Sequence, residues 1–125
     1  MPVLVDSDVC GRFAVLTITD PYTFDEWQMA VEETLPSFPY VSTAALLVDR
    51  RNATAPTKEF VESMVSFFDS HARELHHGRA AIITNDDLGF AMGRMTQLKS
   101  ETFVPSLTIR TFRDYDAGVL WLTRE

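Results

Sequence analysis

The sequence predicts an α/β fold: a five-stranded, mixed and mostly parallel sheet with four helices, in the order ββαβαβαβα. Three observations predict it. Strand-like and helix-like segments alternate along the chain, capping residues stand before the helix-like segments, and the first two strand-like segments are close enough to pair as a hairpin. Strands joined through a helix run parallel by right-handed crossovers, so we expect the first strand to lie antiparallel at an edge of the sheet.

The first part of the chain predicts a hairpin and a helix. Residues 3–6 and 13–19 have strand character, with a turn at residues 10–12. Thr23 and Glu26 form a capping box, in which each side chain satisfies one free amide at the start of the helix. The apolar stripe of this helix comprises Trp27, Ala30, Val31, Thr34 and Leu35.

The middle of the chain predicts a central strand and the clearest helix. Residues 44–48 are apolar on both faces, which indicates a strand covered on both sides, and residues 49–56 have the composition of a polar loop. Thr57 is the predicted N-cap of the helix. The apolar face of this helix is formed by Phe60, Val61, Met64, Val65, Phe67, Phe68, Ala72 and Leu75. His76 and His77 close it near the negative end of the helix dipole.

The last part of the chain predicts two more strand–helix units. Residues 80–84 form a second two-sided strand, and Asp86 lies in a group that caps the third helix. We expect the inward face of that helix to comprise Leu88, Ala91, Met92, Met95 and Leu98. Residues 107–112 alternate apolar and polar side chains, as a strand with one buried face does, and Asp114 caps a short final helix.

Length and composition predict a single soluble domain spanning residues 1–125. A hydrophobic content of 46% is typical of a globular protein, and a net charge of −7 argues against surfaces for nucleic acid or anionic membranes. No apolar run approaches the roughly 20 residues of a membrane-spanning helix, so we expect no membrane insertion. The start of the chain lacks signal-peptide character, and the one cysteine, Cys10, cannot form an intrachain disulfide. These features favour a cytoplasmic protein.

A row of aspartates is the strongest candidate for chemistry. The predicted strand ends are followed by Asp20, Asp49, Asp86, Asp87 and Asp114. If the strands are parallel, these carboxylates share the sheet edge at which open α/β folds bind ligands, and together they could hold Mg²⁺. Alternatively, they are ordinary helix caps and solvated side chains. Arg50, Arg51 and Arg113 are near in sequence, but no recognised phosphate-binding spacing links them. We therefore assign no catalytic residue, metal or cofactor.

Two further groups of residues have both a structural and a functional interpretation. Thr54 and Thr57 flank the loop before the second helix, and a phosphate on Thr57 would meet a helix N-terminus and nearby arginines. The structural alternative for Thr57 is a plain cap. A set of apolar-face residues either fills the core or lines a pocket for a small apolar ligand: Met64, Phe68, His71, Met92 and Met95.

Three stretches resemble a known family. Residues 45–49 (ALLVD) resemble a central strand ending in aspartate, residues 71–83 resemble a helix running into a strand, and Phe112 with Ala117 and Trp121 resembles a terminal signature. These are features of the bacterial SpoIIAA-like proteins, relatives of the STAS domain of anti-sigma-factor antagonists. The resemblance implies a mixed sheet with helices, a cytoplasmic setting and self-association as a homodimer. It also implies a general shape shared with lipid-carrying domains.

The resemblance and the residues together favour a non-catalytic regulatory or protein-interaction module. Anti-sigma-factor antagonists carry an Asp-Ser-Ser-Gly-type phosphorylation motif before the second helix, whereas residues 52–59 of this chain contain neither the serine pair nor the glycine. We expect the working surface to comprise Asp49, Arg50, Arg51, Thr54 and Thr57. The alternative is a binder of a small apolar or lipid-like ligand, and a Mg²⁺-dependent enzyme is a third hypothesis.

Overall fold

The elements of the fold follow the predicted order. The computed structural model describes residues 3–7, 13–34, 45–73, 78–104 and 107–124. Their strands and helices are β1 Val3–Ser7, β2 Ala14–Thr19, α1 Phe24–Thr34, β3 Ala45–Asn52, α2 Lys58–Ser70, β4 Arg79–Ile83, α3 Asp87–Phe103, β5 Thr108–Phe112 and α4 Tyr115–Thr123. The predicted turn at residues 10–12, Leu35, Leu75, and the histidines His76 and His77 lie outside the described residues. No helix in the described ranges is both long and apolar enough to cross a bilayer.

The sheet has the predicted topology. Its strands lie side by side in the order β1-β2-β3-β4-β5, and β1 pairs antiparallel with β2. The other three pairs are parallel, with Leu46 opposite Ala80 and Ala80 opposite Ile109. The carboxyl ends of β2 to β5 therefore meet at one edge. We call this edge the C-terminal rim, and it comprises residues 20–23, 50–57, 84–87 and 113–115.

The sheet is covered on both faces, as the two-sided apolar strands predict. The face covered by α1, α2 and α3 buries Leu16, Ile18, Leu46, Val48, Ala80, Ile82 and Ile109. The other face packs against α4 and includes Ala45, Leu47, Ala81 and Ile83. Trp27 is fully buried on the three-helix side, where its ring centroid lies 5.4 Å from Phe67 and 5.5 Å from Phe68.

Strand β3 is longer than the sequence predicts. The expected polar loop begins at Asp49, but the strand continues to Asn52, so Asp49 and Arg50 are strand residues and are buried. The ladder continues because Asp49 has a strand partner on each side, Thr17 on β2 and Ile83 on β4. Alternation along β3 then directs Asp49 and Arg50 to opposite faces of the sheet.

The predicted inward face of α3 is wrong by about one residue. Leu88 is 64% exposed and Leu98 is 54% exposed, and Ala91 is exposed as well. The buried positions are the small residues Gly89, Gly93, Thr96 and Ser100. A side chain at Gly93 would meet Thr111 on β5, because its Cβ would lie 2.6 Å from Thr111 Cγ2. The helix therefore sits too close to the sheet for leucines, and of the predicted inward residues Met92 and Met95 are partly buried against the core.

The predicted helix starts are confirmed. Thr23 and Glu26 exchange hydrogen bonds as a capping box, with Thr23 N donating to Glu26 Oε1 at 3.0 Å and Glu26 N donating to Thr23 Oγ1 at 3.2 Å. Thr57 Oγ1 accepts from Phe60 N at 3.1 Å. Asp86 and Asp114 cap α3 and α4 in the same manner. All four of these caps lie on the C-terminal rim and help to shape it.

Candidate interaction site at the C-terminal rim

The loop between β3 and α2 is held against the rim by hydrogen bonds of Thr54. Thr54 N donates to both carboxylate oxygens of Asp20, at 3.0 and 2.9 Å, and Thr54 Oγ1 donates to Asp20 Oδ1 at 2.9 Å. The carbonyl of Thr54 accepts from the hydroxyl of Tyr22 at 2.9 Å and from Arg50 Nη2 at 3.2 Å. Five hydrogen bonds thus hold one exposed loop residue, so the loop is ordered before any partner arrives.

Arg50 supports this loop from beneath and is not a surface residue. It is 5% exposed, and its guanidinium lies 4.8 Å from the ring centroid of Tyr22 and 5.9 Å from that of Phe60. Its Nη2 also donates to the Tyr22 hydroxyl. Burial lowers the pKa of Arg50, and the neighbouring Tyr22 and Asp20 oppose that shift. Arg50 therefore positions the loop, and its own side chain is shielded from solvent.

Asp49 and Arg51 form a bidentate ion pair on the face of the sheet that packs against α4. Arg51 Nε donates to Asp49 Oδ1 and Arg51 Nη2 donates to Asp49 Oδ2, both at 2.9 Å. The guanidinium stacks on Tyr115, 4.7 Å from its ring centroid. Burial by itself raises the pKa of Asp49, but the hydrogen bonds and charge of Arg51 outweigh it and the pKa is lowered. The hydrogen bond to Asp49 raises the pKa of Arg51 in turn.

A surface hollow lies beside the fastened loop. It has a volume of about 460 Å³ and is lined by Asp20, Pro21, Tyr22, Thr54, Ala55, Thr57 and Phe60. Its lining combines the apolar and aromatic residues Pro21, Tyr22, Ala55 and Phe60 with polar atoms of Asp20 and the two threonines. Two of the predicted interaction residues, Thr54 and Thr57, thus border one concave surface. We call it the rim hollow.

Four of the five predicted aspartates lie on the C-terminal rim, with Asp49 inside β3, and the five do not form a cluster. Asp20 is bound to Thr54, Asp49 to Arg51, and Asp87 to Arg113 at 2.8 Å. Asp86 and Asp114 act as helix caps. In the part of the chain that the structure describes, no three residues of the types His, Cys, Asp and Glu come close enough together to hold a metal ion. Two members of the row, Asp86 and Asp114, are therefore helix caps. The other three make contacts with the loop or form ion pairs.

The residues predicted for an apolar pocket are divided among three places. Met64 and Phe68 line a cavity of about 20 Å³ between the sheet, α2 and α3. Met92 and Met95 are partly buried and pack against the core. His71 follows the last turn of α2, with its ring centroid 4.4 Å from that of Phe67, and borders a separate surface hollow.

Asp20 and Tyr22 are the rim residues whose roles the sequence does not reveal. The sequence places Asp20 in the aspartate row and Tyr22 beside the first capping box. The structure shows both of them holding Thr54, more than 30 residues away in the chain. The Asp-Pro pair after β2 signals a strand end, but nothing in the sequence signals which loop that end contacts.

Comparisons with known proteins identify the fold. No protein-family model matches the chain, and no curated protein matches it. Among solved structures, it is similar to an uncharacterised protein of the DUF3478 family with a SpoIIAA-like fold, from Shewanella loihica PV-4. The TM-score is 0.64 and the identity is 15%, and the alignment covers 96% of this chain and 91% of that one. The fold of this protein is therefore SpoIIAA-like, in agreement with the resemblance of its three sequence stretches.

Proposed function

We propose that this protein is a non-catalytic protein-interaction module that binds its partner at the rim hollow and the adjoining loop, residues 51–57. The observation that carries the proposal is that five hydrogen bonds hold Thr54 beside a hollow whose lining is largely apolar and aromatic. A surface that is already ordered loses little conformational entropy on binding. This arrangement supports recognition of a partner and requires no reacting group.

The charged groups of the rim support recognition over catalysis. Asp20 and Asp49 are engaged by hydrogen bonds from Thr54 and Arg51, and Arg50 is buried beneath the loop. Each of these groups has a structural role in holding the rim together. Arg51, Thr54 and Thr57 are exposed at the surface and are the predicted interaction residues that a partner can touch.

The shape and charge of the rim hollow favour one kind of partner segment. An apolar side chain packs against Pro21, Tyr22 and Phe60, and a basic residue beside it approaches Asp20. The net charge of −7 also favours a basic partner through long-range attraction. We therefore propose a peptide segment with one apolar anchor and a neighbouring lysine or arginine.

The test fills the rim hollow without disturbing the core. Ala55 lines the hollow and is partly exposed, so Ala55→Arg blocks it, while Thr102→Arg places the same side chain at the far end of α3. The measurement is affinity capture from cells, quantified by mass spectrometry. We expect Ala55→Arg and a Gly/Ser replacement of residues 53–56 to abolish capture of the same set of proteins. We expect Thr102→Arg to leave the capture of that set unchanged.

Two controls accompany this experiment. Circular dichroism checks that both arginine variants fold, and light scattering checks whether the homodimer implied by the resemblance forms equally in each. Photo-crosslinking from position 57, compared with position 102, then identifies which captured protein touches the rim. A capture profile that is the same for Ala55→Arg and for the original protein contradicts the proposal.

The alternative, a binder of a small apolar or lipid-like ligand, has weaker support. Met64 and Phe68 line a cavity, but its volume of about 20 Å³ accommodates a particle the size of one water molecule. Native mass spectrometry of protein purified from cells distinguishes the two functions, because a co-purifying hydrophobic mass favours the ligand binder. The absence of such a mass, together with rim-dependent capture, favours the interaction module.

A further inference from the structure

Arg50 is a buried cation that has no carboxylate within ion-pair distance among the described residues, although Asp20 acts on its charge at longer range. Its side chain is buried beneath the loop, and the ion pairs between described residues do not include it. Nη2 donates to the Tyr22 hydroxyl and to the Thr54 carbonyl, whereas Nη1 is buried and has no acceptor within the described part of the chain. A desolvated guanidinium that lacks an ion-pair partner and has one unmatched nitrogen is costly, so a group that supplies an acceptor and a negative charge at Nη1 binds there favourably.

Arg50 lines the cavity of about 20 Å³ that lies between the sheet and helices α2 and α3. Trp27 lines the same cavity, and its buried Nε1 also has no acceptor among the described residues. Thr96 is a third polar residue of the lining, but its hydroxyl donates to Met92 O at 3.0 Å. The unmatched polar groups of this lining are thus both donors, and one of them belongs to a cation.

The two unmatched donors decide which small particle suits the cavity. A water molecule accepts hydrogen bonds but must also place its own two hydrogens. The Thr96 hydroxyl oxygen can accept one of them, while the rest of the lining is chiefly apolar side chains such as Val48, Phe68 and Ile82. An anion only accepts, and it also neutralises the desolvated guanidinium. We propose that this cavity is a binding site for a compact monovalent anion, the size of chloride or bromide, held by Arg50 with Trp27 as a second donor.

The anion site has a consequence for the rim. Arg50 donates through Nη2 to the carbonyl of Thr54, so an anion on Nη1 fixes the guanidinium that supports the loop. This link to partner binding rests on the proposed function, whereas the anion site itself does not. The two are distinguishable, because halide binding is measured on the isolated protein and partner capture is not needed.

The test compares halides with a bulky anion at equal ionic strength. We expect the unfolding midpoint of the full chain to rise saturably in sodium chloride and sodium bromide but not in sodium gluconate. We expect Arg50→Met to abolish the halide effect and Arg79→Met to retain it. Arg79 is a matched control because its guanidinium also lies partly buried, but on the α4 face, where Nη1 donates to Trp121 O at 3.1 Å.

Crystals grown in sodium bromide provide a test that does not depend on any variant. An anomalous bromide peak in the cavity beside Arg50 is the expected result. A cavity that holds only water, with identical unfolding curves in halide and gluconate, overturns the proposal. Bromide bound only elsewhere overturns it as well. Stabilisation by octanoate without stabilisation by halide also overturns it, and favours an amphipathic ligand instead.

Discussion

The ion pair of Asp49 and Arg51 makes a specific contribution to stability at the scale of single residues. The pKa of Asp49 is lowered in the folded protein, so the folded state binds a proton less readily than the unfolded state. The stabilisation is therefore complete above the ordinary pKa of an aspartate, about 4, and is lost as the pH falls through the lower pKa of the folded state. Asp49 thus favours folding at neutral pH and not in strong acid.

We predict that Asp49→Asn lowers the free energy of unfolding at pH 7 by about 1–3 kcal/mol, because charged hydrogen bonds in a buried setting are replaced by neutral ones. The difference from the original protein shrinks as the pH falls below about 4. Urea unfolding at pH 7 and at pH 3 measures both effects. Asp87→Asn is the control, since Asp87 pairs with Arg113 but its side chain is 96% exposed, and we expect little change. An equal loss at both pH values contradicts the assignment.

Residue-scale contacts are the part of the site that the sequence predicts least. The sequence identifies Arg50 and Thr54 as site residues, but its polar pattern places both on an exposed loop. The structure buries Arg50 because β3 runs on to Asn52 and alternation turns Arg50 under Tyr22. Tyr22 is 28 residues away from Arg50, and no local pattern reports a contact over that separation.

At the scale of elements, helix α3 shows how close packing changes the meaning of a sequence pattern. Its buried face carries Gly93 and Thr96, and Thr96 satisfies its hydroxyl on the carbonyl of Met92. Small side chains, or side chains whose polar groups are already hydrogen-bonded within the helix, allow α3 to pack closely against the sheet. Leu88 and Leu98 then lie on the exposed side of the helix. Apolar periodicity therefore predicts the helix and its cap but only part of the buried face, because Met92 and Met95 pack against the core while Leu88 and Leu98 do not.

We predict that Gly93→Ala lowers the free energy of unfolding by about 1–3 kcal/mol, because overpacking outweighs the gain in helix propensity. The new Cβ would lie 2.6 Å from Thr111 Cγ2 and 2.7 Å from Thr111 Oγ1, and the Thr111 Cβ at 3.2 Å cannot rotate away. Thermal unfolding checks the single variant. The double variant Gly93→Ala, Thr111→Ala should recover most of the loss, and a double variant no more stable than the single one refutes the steric explanation.

At the scale of the whole molecule, the topology is the best-predicted property. Alternating strands and helices, with capping residues before each helix, suffice to predict that β2 to β5 run parallel and to place the antiparallel strand at an edge. The sequence does not show that three helices cover one face and α4 alone packs against the other. Trp121 is the largest buried residue that α4 contributes to that second core.

We predict that Trp121→Ala lowers the free energy of unfolding by about 3–5 kcal/mol, as large-to-small substitutions of buried aromatic residues do. Its neighbour Leu120 is 71% exposed, so Leu120→Ala provides a matched control with little expected change. Calorimetry measures both variants and also tests whether residues 1–125 unfold as a single domain, which predicts one transition. Similar stability for the two variants shows that α4 contributes little to the fold.

The alternation of Asp49, Arg50 and Arg51 along β3 also limits where the length of such a chain can change. Adjacent residues of the strand face different helices across the sheet. Arg50 contacts Phe60 of α2, while Asp49 and Arg51 form their ion pair beside Tyr115 of α4. Insertion or deletion of one residue within β3 exchanges those layers, so that Arg50 loses Tyr22 and a charge is driven into the opposite core. Length changes are therefore expected in natural variants only after Asn52, in the loop itself, and not in the strand that precedes it.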